Sequence, residues 1–405
     1  MKRKTAIGVS KDFSLSIIAS VISAGVLQLA VYPLLALTFD ASLYGLLLTL
    51  MGIINTIGIS LGNSLNNTRL ILGTEYNKKN YTGDFNLILL FANIVGSISI
   101  LLIGCILFSL SPIIILLIII LVILIISRSY MVVYFRIKLD FKRLLYNSIF
   151  MSIGYLVGAF LGYVLHFWPL AFIIGEIFSI IYLLKLSKFQ KETIDKTPLF
   201  TITFSKYLIL VLTSILANLL LYMDRILIYP ILGPGSVATF TTASIIGKSL
   251  AIIMGPIAAV LLSYYSKDNF VMTRKKFWSI NLLFISGMII IIPLIYFFAP
   301  IFTKFLYPTL FEDAKSLIFI ANLAALTGVL SRMIQPAILK YSPTYWLIIK
   351  EVGYGAVYLS LGIYLLDKYG LAGLVGTIFL ANILKIIFML MLGDYYVKRG
   401  ELELE

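Results

Sequence analysis

PIIILLIIILVILIISRSYMVVYFRIKLDFKR, residues 112–143, is a long apolar run that ends in a cluster of cations. A helix crosses a hydrocarbon layer about 30 Å thick with about 20 residues, each rising about 1.5 Å. The apolar part meets that length. Arg136, Lys138, Lys142 and Arg143 then mark a loop held on the cytoplasmic side, because Lys and Arg in short loops resist translocation. The same alternation of apolar block and short loop recurs along all 405 residues, 60% of them hydrophobic, with a mean hydropathy of +1.03. The pattern defines an all-α, polytopic membrane protein.

Reading outward, spans are expected near Phe13 to Phe39, Leu43 to Leu65, Phe85 to Ser109, Pro112 to Tyr134, Leu144 to His166 and Phe167 to Leu186. Six more follow, near Tyr207 to Tyr229, Val237 to Tyr265, Trp278 to Ala299, Ala314 to Leu339, Tyr345 to Leu366 and Leu371 to Gly393. The total is about twelve. Only His166-Phe167-Trp168-Pro169 divides the fifth from the sixth.

Cations concentrate in every second loop. One side carries Lys2, Arg3, Lys4 and Lys11; Arg69, Lys78 and Lys79; Lys188, Lys191 and Lys196; Lys267, Arg274, Lys275 and Lys276; and Lys398 and Arg399. Both termini are therefore expected in the cytoplasm. The opposite loops are nearly free of cations, and their exceptions Lys304, Lys315 and Lys368 have Glu312, Asp313 or Asp367 close by. This topology accounts for most of the net charge of +14, so a nucleic-acid partner is not expected.

Several classes of chemistry lack their parts. The first apolar block is too long for a signal-peptide core and is expected to remain as the first helix. One cysteine, Cys105, and one histidine, His166, leave no nitrogen-and-sulfur ligand set for zinc, so no metal or other cofactor is expected. The longest cytoplasmic loop, Ser187 to Lys206, is too short for a soluble domain. Gly247-Lys248-Ser249 resembles the end of a phosphate loop, but Thr242 stands where the motif needs its first glycine. No extracytoplasmic loop is large enough to house a polymerase site. A transporter, not an enzyme, is the expectation.

The chain divides into an N-terminal six-helix half (1–190), a cytoplasmic linker (191–205) and a C-terminal six-helix half (206–405), and the halves echo one another. Phe13-Ser14 opens one and Phe204-Ser205 the other; Tyr32-Pro33 closes the first helix of one and Tyr229-Pro230 that of the other, before Ser42 and Ser236. Halves that both start from the cytoplasm form a parallel repeat, which commonly encloses a central cavity.

Charges inside spans are costly, roughly 2.5 to 3.5 kcal/mol at the midplane, and so carry information. Lys248 and Lys385 lie roughly 18 and 21 Å from the outer ends of their helices. Arg225 lies nearer the outer end of its helix, and Arg128, Arg332 and Lys350 fall in the inner third of theirs. The acids are fewer: Glu176, Asp224 and Glu351. Neighbouring helical residues point about 100° apart, so neither Asp224 with Arg225 nor Lys350 with Glu351 is expected to pair face on. An excess of buried cations makes a positive interior that attracts an anion. Alternatives stand beside these readings. The lysines can be structural partners of carboxylates, Arg128, Arg332 and Lys350 can reach inner headgroups, and Glu176 is either an ion-coupling site or a counter-ion. Asp224 is a second ion-coupling candidate. Gly154, Gly158 and Gly162 share a helical face suited to close packing or to sliding. Tyr32, Trp168, Tyr229, Trp278 and Trp346 fit an interfacial aromatic belt.

Phe13-Ser14 through Pro33-Leu34-Leu35 to Ser42-Leu43-Tyr44-Gly45, and Tyr222-Met223-Asp224-Arg225-Ile226-Leu227-Ile228 with Gly233 and Ser236-Val237-Ala238, carry a family resemblance. The chain resembles the Wzx-type polysaccharide or oligosaccharide flippases of the multidrug/oligosaccharidyl-lipid/polysaccharide exporter superfamily. Thr239-Phe240 departs from it, since a tyrosine is common there. The resemblance implies a bacterial plasma-membrane protein that flips an undecaprenyl-pyrophosphate-linked oligosaccharide to the outer leaflet by alternating access, alongside membrane lipids, a polysaccharide polymerase and other assembly proteins. Lys248, Lys385 and Arg225 are the candidates to hold the pyrophosphate, with Arg128, Arg332 and Lys350 as an inner set that admits it. Asn55, Asn63, Asn218, Asn322 and Asn382 are available to sugar hydroxyls.

Two rivals remain. A cation-coupled multidrug exporter of the same superfamily would want buried acids in excess, and this chain has the reverse. A membrane-embedded glycosyltransferase or polymerase would need a catalytic set on a sizeable loop.

Overall fold

The computed structural model describes residues 6–81, 83–187, 189, 192–265, 270–343 and 345–402, and among them there are helices and no strand. The cytoplasmic cations expected at Lys2, Arg3, Lys4, Lys188, Lys191 and Lys267 lie outside the described residues. Among the described residues, eleven helices are long and apolar enough to cross a membrane. The chain divides into two compact units, Met1–Phe39 with Leu47–Ile226, and Asp40–Leu46 with Leu227–Glu405.

The first unit begins with α1 (Ala6–Val26), which runs through a π-helical stretch, Leu27–Val31, into α2 (Tyr32–Thr38). Pro33 accounts for the irregular turn: it has no N–H to give to the preceding turn, and its ring crowds the carbonyl there. α3 (Ala41–Lys79) is 39 residues long and outlasts the apolar block by several turns, so the expected end at Leu65 is corrected. Polar residues past Leu65 stay helical because they find partners; buried Asn66, for one, donates through Nδ2 to Ser129 O at 2.9 Å. Then come α4 (Gly83–Ile106), α5 (Pro112–Met131), α6 (Val133–Ile137), α7 (Phe141–Leu165), α8 (Pro169–Leu186) and α9 (Phe200–Leu232), the last of which begins inside the stretch expected to be the linker.

His166 sits at φ 52°, ψ 41°, a left-handed residue that stops α7, and Pro169 starts α8. These two helices pack through the glycine face. A Cβ on Gly154 would lie 2.8 Å from Gly175 Cα, and one on Gly158 only 2.5 Å from Leu170 O. Trp168 is buried against Phe172, with ring centroids 6.2 Å apart.

The second unit comprises the first turn of α3, the end of α9, α10 (Pro234–Ala243), α11 (Ile245–Tyr265), α12 (Arg274–Leu306), α13 (Phe311–Ala314), α14 (Ile318–Tyr341) and α15 (Tyr345–Leu402). Its core is formed by Leu330, Ile334 and Ile338 of α14 against Ile386, Met389 and Leu392 of α15. α15 spans 58 residues and holds both of the last two expected spans, divided at Gly370, whose φ 61°, ψ −148° no helix contains. Counting those two separately brings the eleven candidate helices to the expected total.

The expected eighth span is not one helix. It breaks at Ser244 (φ −96°, ψ 2°), between α10 and α11. Asn322 of α14 spans the break, donating through Nδ2 to Ala243 O at 2.8 Å and accepting from Gly247 N at 2.7 Å through Oδ1. Freed backbone groups in an apolar layer need such partners, each one left unpaired costing several kcal/mol.

Candidate functional site

In the first unit, Arg128 comes from the last turn of α5, Glu176 from α8 and Tyr155 from the glycine-lined α7. Arg128 Nε donates to Glu176 Oε2, and the Tyr155 hydroxyl donates to Glu176 Oε1 at 2.7 Å. Glu176 is 2% exposed. Close helix packing excludes water there, so each ion is held by the other and by the phenol. A residue expected to line an inner path and one expected to couple ions thus form one buried pair.

Asp224 and Arg225 are neighbours in α9. Asp224 Oδ1 accepts from the Arg225 backbone N–H at 2.9 Å, while Arg225 Nη1 donates to Leu48 O at 3.0 Å. The guanidinium lies 5.7 Å from the Tyr222 ring centroid and against the Tyr32 hydroxyl. Tyr32 is also near Tyr155, so polar groups run from Glu176 through Tyr155 and Tyr32 to Arg225. Nothing in the sequence marks Tyr155, and Tyr32 is expected in the belt. The signal available was that a mid-span phenol needs a partner for its hydroxyl.

In the second unit, Lys248 stands one turn into α11, its Nζ 4.9 Å from the Phe240 ring centroid of α10. Arg332 of α14 donates through Nη1 to Ala251 O at 3.3 Å, one turn along α11 from Lys248. Two stretches of α15 supply the rest. Lys385 Nζ donates to Glu351 Oε2 at 3.1 Å and lies 4.5 Å from the Tyr354 ring centroid. Lys350 Nζ is 2.8 Å from Glu351 Oε1. That distance makes an ion pair, which corrects the expectation for this adjacent couple. The Lys350 ammonium, with its side chain 2% exposed, has no acceptor besides Glu351 among the described residues. Arg332 is close enough to feel Glu351, and Lys385 to feel Lys350 and Arg332. The structure therefore gathers Arg332, Lys350 and Lys385 around a single carboxylate. Arg225 and Arg128 belong to the other unit.

The amides expected to meet sugars are differently placed. Asn322 is fully buried, with its oxygen and one amide hydrogen used at the helix break and the other donated to Ile318 O of its own helix at 2.7 Å. Asn382 Nδ2 donates to Ala324 O at 3.2 Å, and Asn218 Nδ2 donates to Ser60 Oγ at 3.0 Å. Asn63 is exposed.

A second polar assembly escaped the sequence reading because its partners lie far apart in the chain. Arg69 pairs with Glu192 through both nitrogens, at 2.5 and 2.8 Å, and Tyr134 donates to the same carboxylate at 2.7 Å. Asp84 accepts from Thr197 N at 2.7 Å and from the Tyr76 hydroxyl at 2.6 Å. Together they fasten the stretch around 192–197, expected to be the linker, to the first unit.

No family model and no curated protein sequence matches the chain. Solved structures share its fold over nearly the whole length. Lipid II flippase MurJ in an inward closed conformation superposes with a TM-score of 0.68 at 16% identity, over 98% of this chain and 90% of that one. An inward-facing multidrug resistance MATE family transporter of the MOP superfamily gives 0.60 at 14% identity, over 96% and 95%. The Vibrio cholerae MATE transporter VcmN in its bent form gives 0.59 at 12% identity, over 97% and 98%. At such identities the likeness shows the fold, which is that of multi-pass membrane transporters.

Proposed function

We propose that the protein is a Wzx-type flippase that moves an undecaprenyl-diphosphate-linked oligosaccharide from the cytoplasmic to the outer leaflet of a bacterial plasma membrane, for cell-surface polysaccharide biosynthesis. The observation that carries the reading is the cluster of Arg332, Lys350 and Lys385 around Glu351, where buried cations outnumber acids. A diphosphate diester brings one negative charge on each phosphoryl group and several acceptor oxygens, which suits ammonium and guanidinium donors. A cationic drug would be repelled. The fold likeness to a lipid II flippase supports the same direction.

In this reading Lys248, Lys385 and Arg225 hold the diphosphate, Arg128, Arg332 and Lys350 receive it on the inner side, and Glu176 and Asp224 serve ion coupling. The two six-helix halves alternate access, and both termini are cytoplasmic. A polysaccharide polymerase and other assembly proteins would take up the product.

The test is reconstitution in liposomes with a labelled polyprenyl-diphosphate oligosaccharide, reading how fast the sugar on the inner leaflet becomes accessible to an external enzyme. Wild-type protein accelerates exposure, and Lys248→Ala and Lys385→Ala each lower the rate by roughly tenfold to a hundredfold, the worth of a charged hydrogen bond. Wild-type rates in both variants would contradict the assignment of these residues. No exposure, with the same vesicles extruding a cationic dye, would reassign the protein to drug export.

A further inference from the structure

Glu351 is placed oddly for a structural counter-ion. Its carboxylate is shared between Lys350 at 2.8 Å and Lys385 at 3.1 Å, yet the acid is the open member of the group: its side chain is 34% exposed, against 2% and 13% for the two lysines. Its Oε1 stands 2.8 Å from the Lys350 ammonium, which has no acceptor besides this carboxylate among the described residues. Arg332 adds charge from α14 with no further acid beside it among the described residues. A buried ammonium with unused donors, facing a half-open carboxylate, is a site whose present occupant is easily replaced.

We propose that Glu351 is an exchangeable counter-ion, standing where the substrate's diphosphate will bind and yielding the lysines to it. The proposal rests on the reading above that this cluster receives a diphosphate. In the free site the carboxylate offsets part of the charge of Lys350 and Lys385 and keeps them apart from other acids. An arriving diphosphate offers more oxygens than one carboxylate, so it takes over Lys385, meets the remaining N–H donors of Lys350, and turns Glu351 outward to the solvated side. The exchange runs backward at release, when the returning carboxylate competes for the same donors. Glu351 thus weakens binding and quickens discharge, which makes it a positioning residue that sets turnover.

The test measures binding of farnesyl diphosphate to the purified full-length protein in nanodiscs, with farnesol and inorganic pyrophosphate alongside. Glu351→Gln is expected to bind farnesyl diphosphate about tenfold more tightly than wild type, to leave farnesol binding unchanged, and to slow flipping of a polyprenyl-diphosphate oligosaccharide. Glu351→Asp, which retains the charge, should restore turnover. If the two lysines left facing each other prevent Glu351→Gln from folding, Lys385→Gln is compared with Lys385→Gln/Glu351→Gln, and the double variant should bind more tightly than the single one. Equal or weaker binding on loss of the carboxylate, while Lys385→Gln weakens it, overturns the counter-ion role and leaves the flippase reading standing. Tightening confined to inorganic pyrophosphate overturns the lipid-borne source of the anion. A wild-type protein that binds no diphosphate at all overturns both readings.

Discussion

Arg128 and Glu176 show what a buried charge demands of its surroundings. The pair lies 48 residues apart in sequence, and Glu176 is 2% exposed, so removing either partner strands the other in an apolar interior. Glu176→Ala is expected to destabilise the protein by about 3 to 5 kcal/mol, read as a lowered unfolding temperature in detergent. The Arg128→Met/Glu176→Leu double variant should recover most of that loss, since a packed apolar pair of similar volume needs no compensation. Equal instability of the single and double variants would show that the pair is not the source. Asn322 works similarly with neutral groups. Asn322→Leu leaves Gly247 N–H and Ala243 C=O unpaired and should cost about 1 to 3 kcal/mol for each group. That charges lay inside spans was legible from the residues alone, because Lys248 and Lys385 are too deep to reach water easily. Their partners were not legible. Glu351 reaches Lys385 across 34 residues and Arg69 reaches Glu192 across 123, separations set by helix packing and not by local pattern.

At the scale of helices, the apolar blocks marked most spans because each is about the length a bilayer requires. The ends were less visible. α3 continues to Lys79 and α9 starts at Phe200, in stretches where polar residues are kept helical by contacts such as Asn66 with Ser129 and Thr203 with the Tyr76 hydroxyl at 2.6 Å. The break at Ser244 carries neither glycine nor proline, so nothing in the local sequence announced it. Close helix approach, in contrast, was written in the glycines. Gly158→Ala should destabilise the α7 and α8 pair by about 1 to 3 kcal/mol, because its Cβ would meet Leu170 O at 2.5 Å. Gly162→Ala, with its Cβ at 3.2 Å from Phe167 O, should cost less. Thermal unfolding of the two variants checks the order, and the reverse order would contradict this packing. At Gly370 the strain comes from the backbone: φ 61°, ψ −148° suits glycine, and Gly370→Ala should cost about 1 to 3 kcal/mol.

For the molecule as a whole, the alternation of cationic and uncharged loops predicts which ends face the cytoplasm. In a Cys105→Ser background, single cysteines introduced at Thr193 and Lys398 should react with an impermeant maleimide only from the cytoplasmic side, and those at Ser111 and Gly235 only from outside. The opposite pattern would invert the topology and, with it, the assignment of an inner receiving set. Nothing in that pattern identifies the sugar, because sugar contacts come from neutral side chains that packing claims first, as it claims Asn322 and Asn382.

The central claim is that recognition runs through the anion. The most direct measurement compares, in one set of proteoliposomes, the flipping of an oligosaccharide carried on a polyprenyl diphosphate with that of the same oligosaccharide joined to the polyprenyl chain by a neutral ether. The cation cluster of Arg332, Lys350 and Lys385 predicts strong preference for the diphosphate carrier and its loss in Lys385→Ala. Equal rates for the two carriers in the wild-type protein would contradict it.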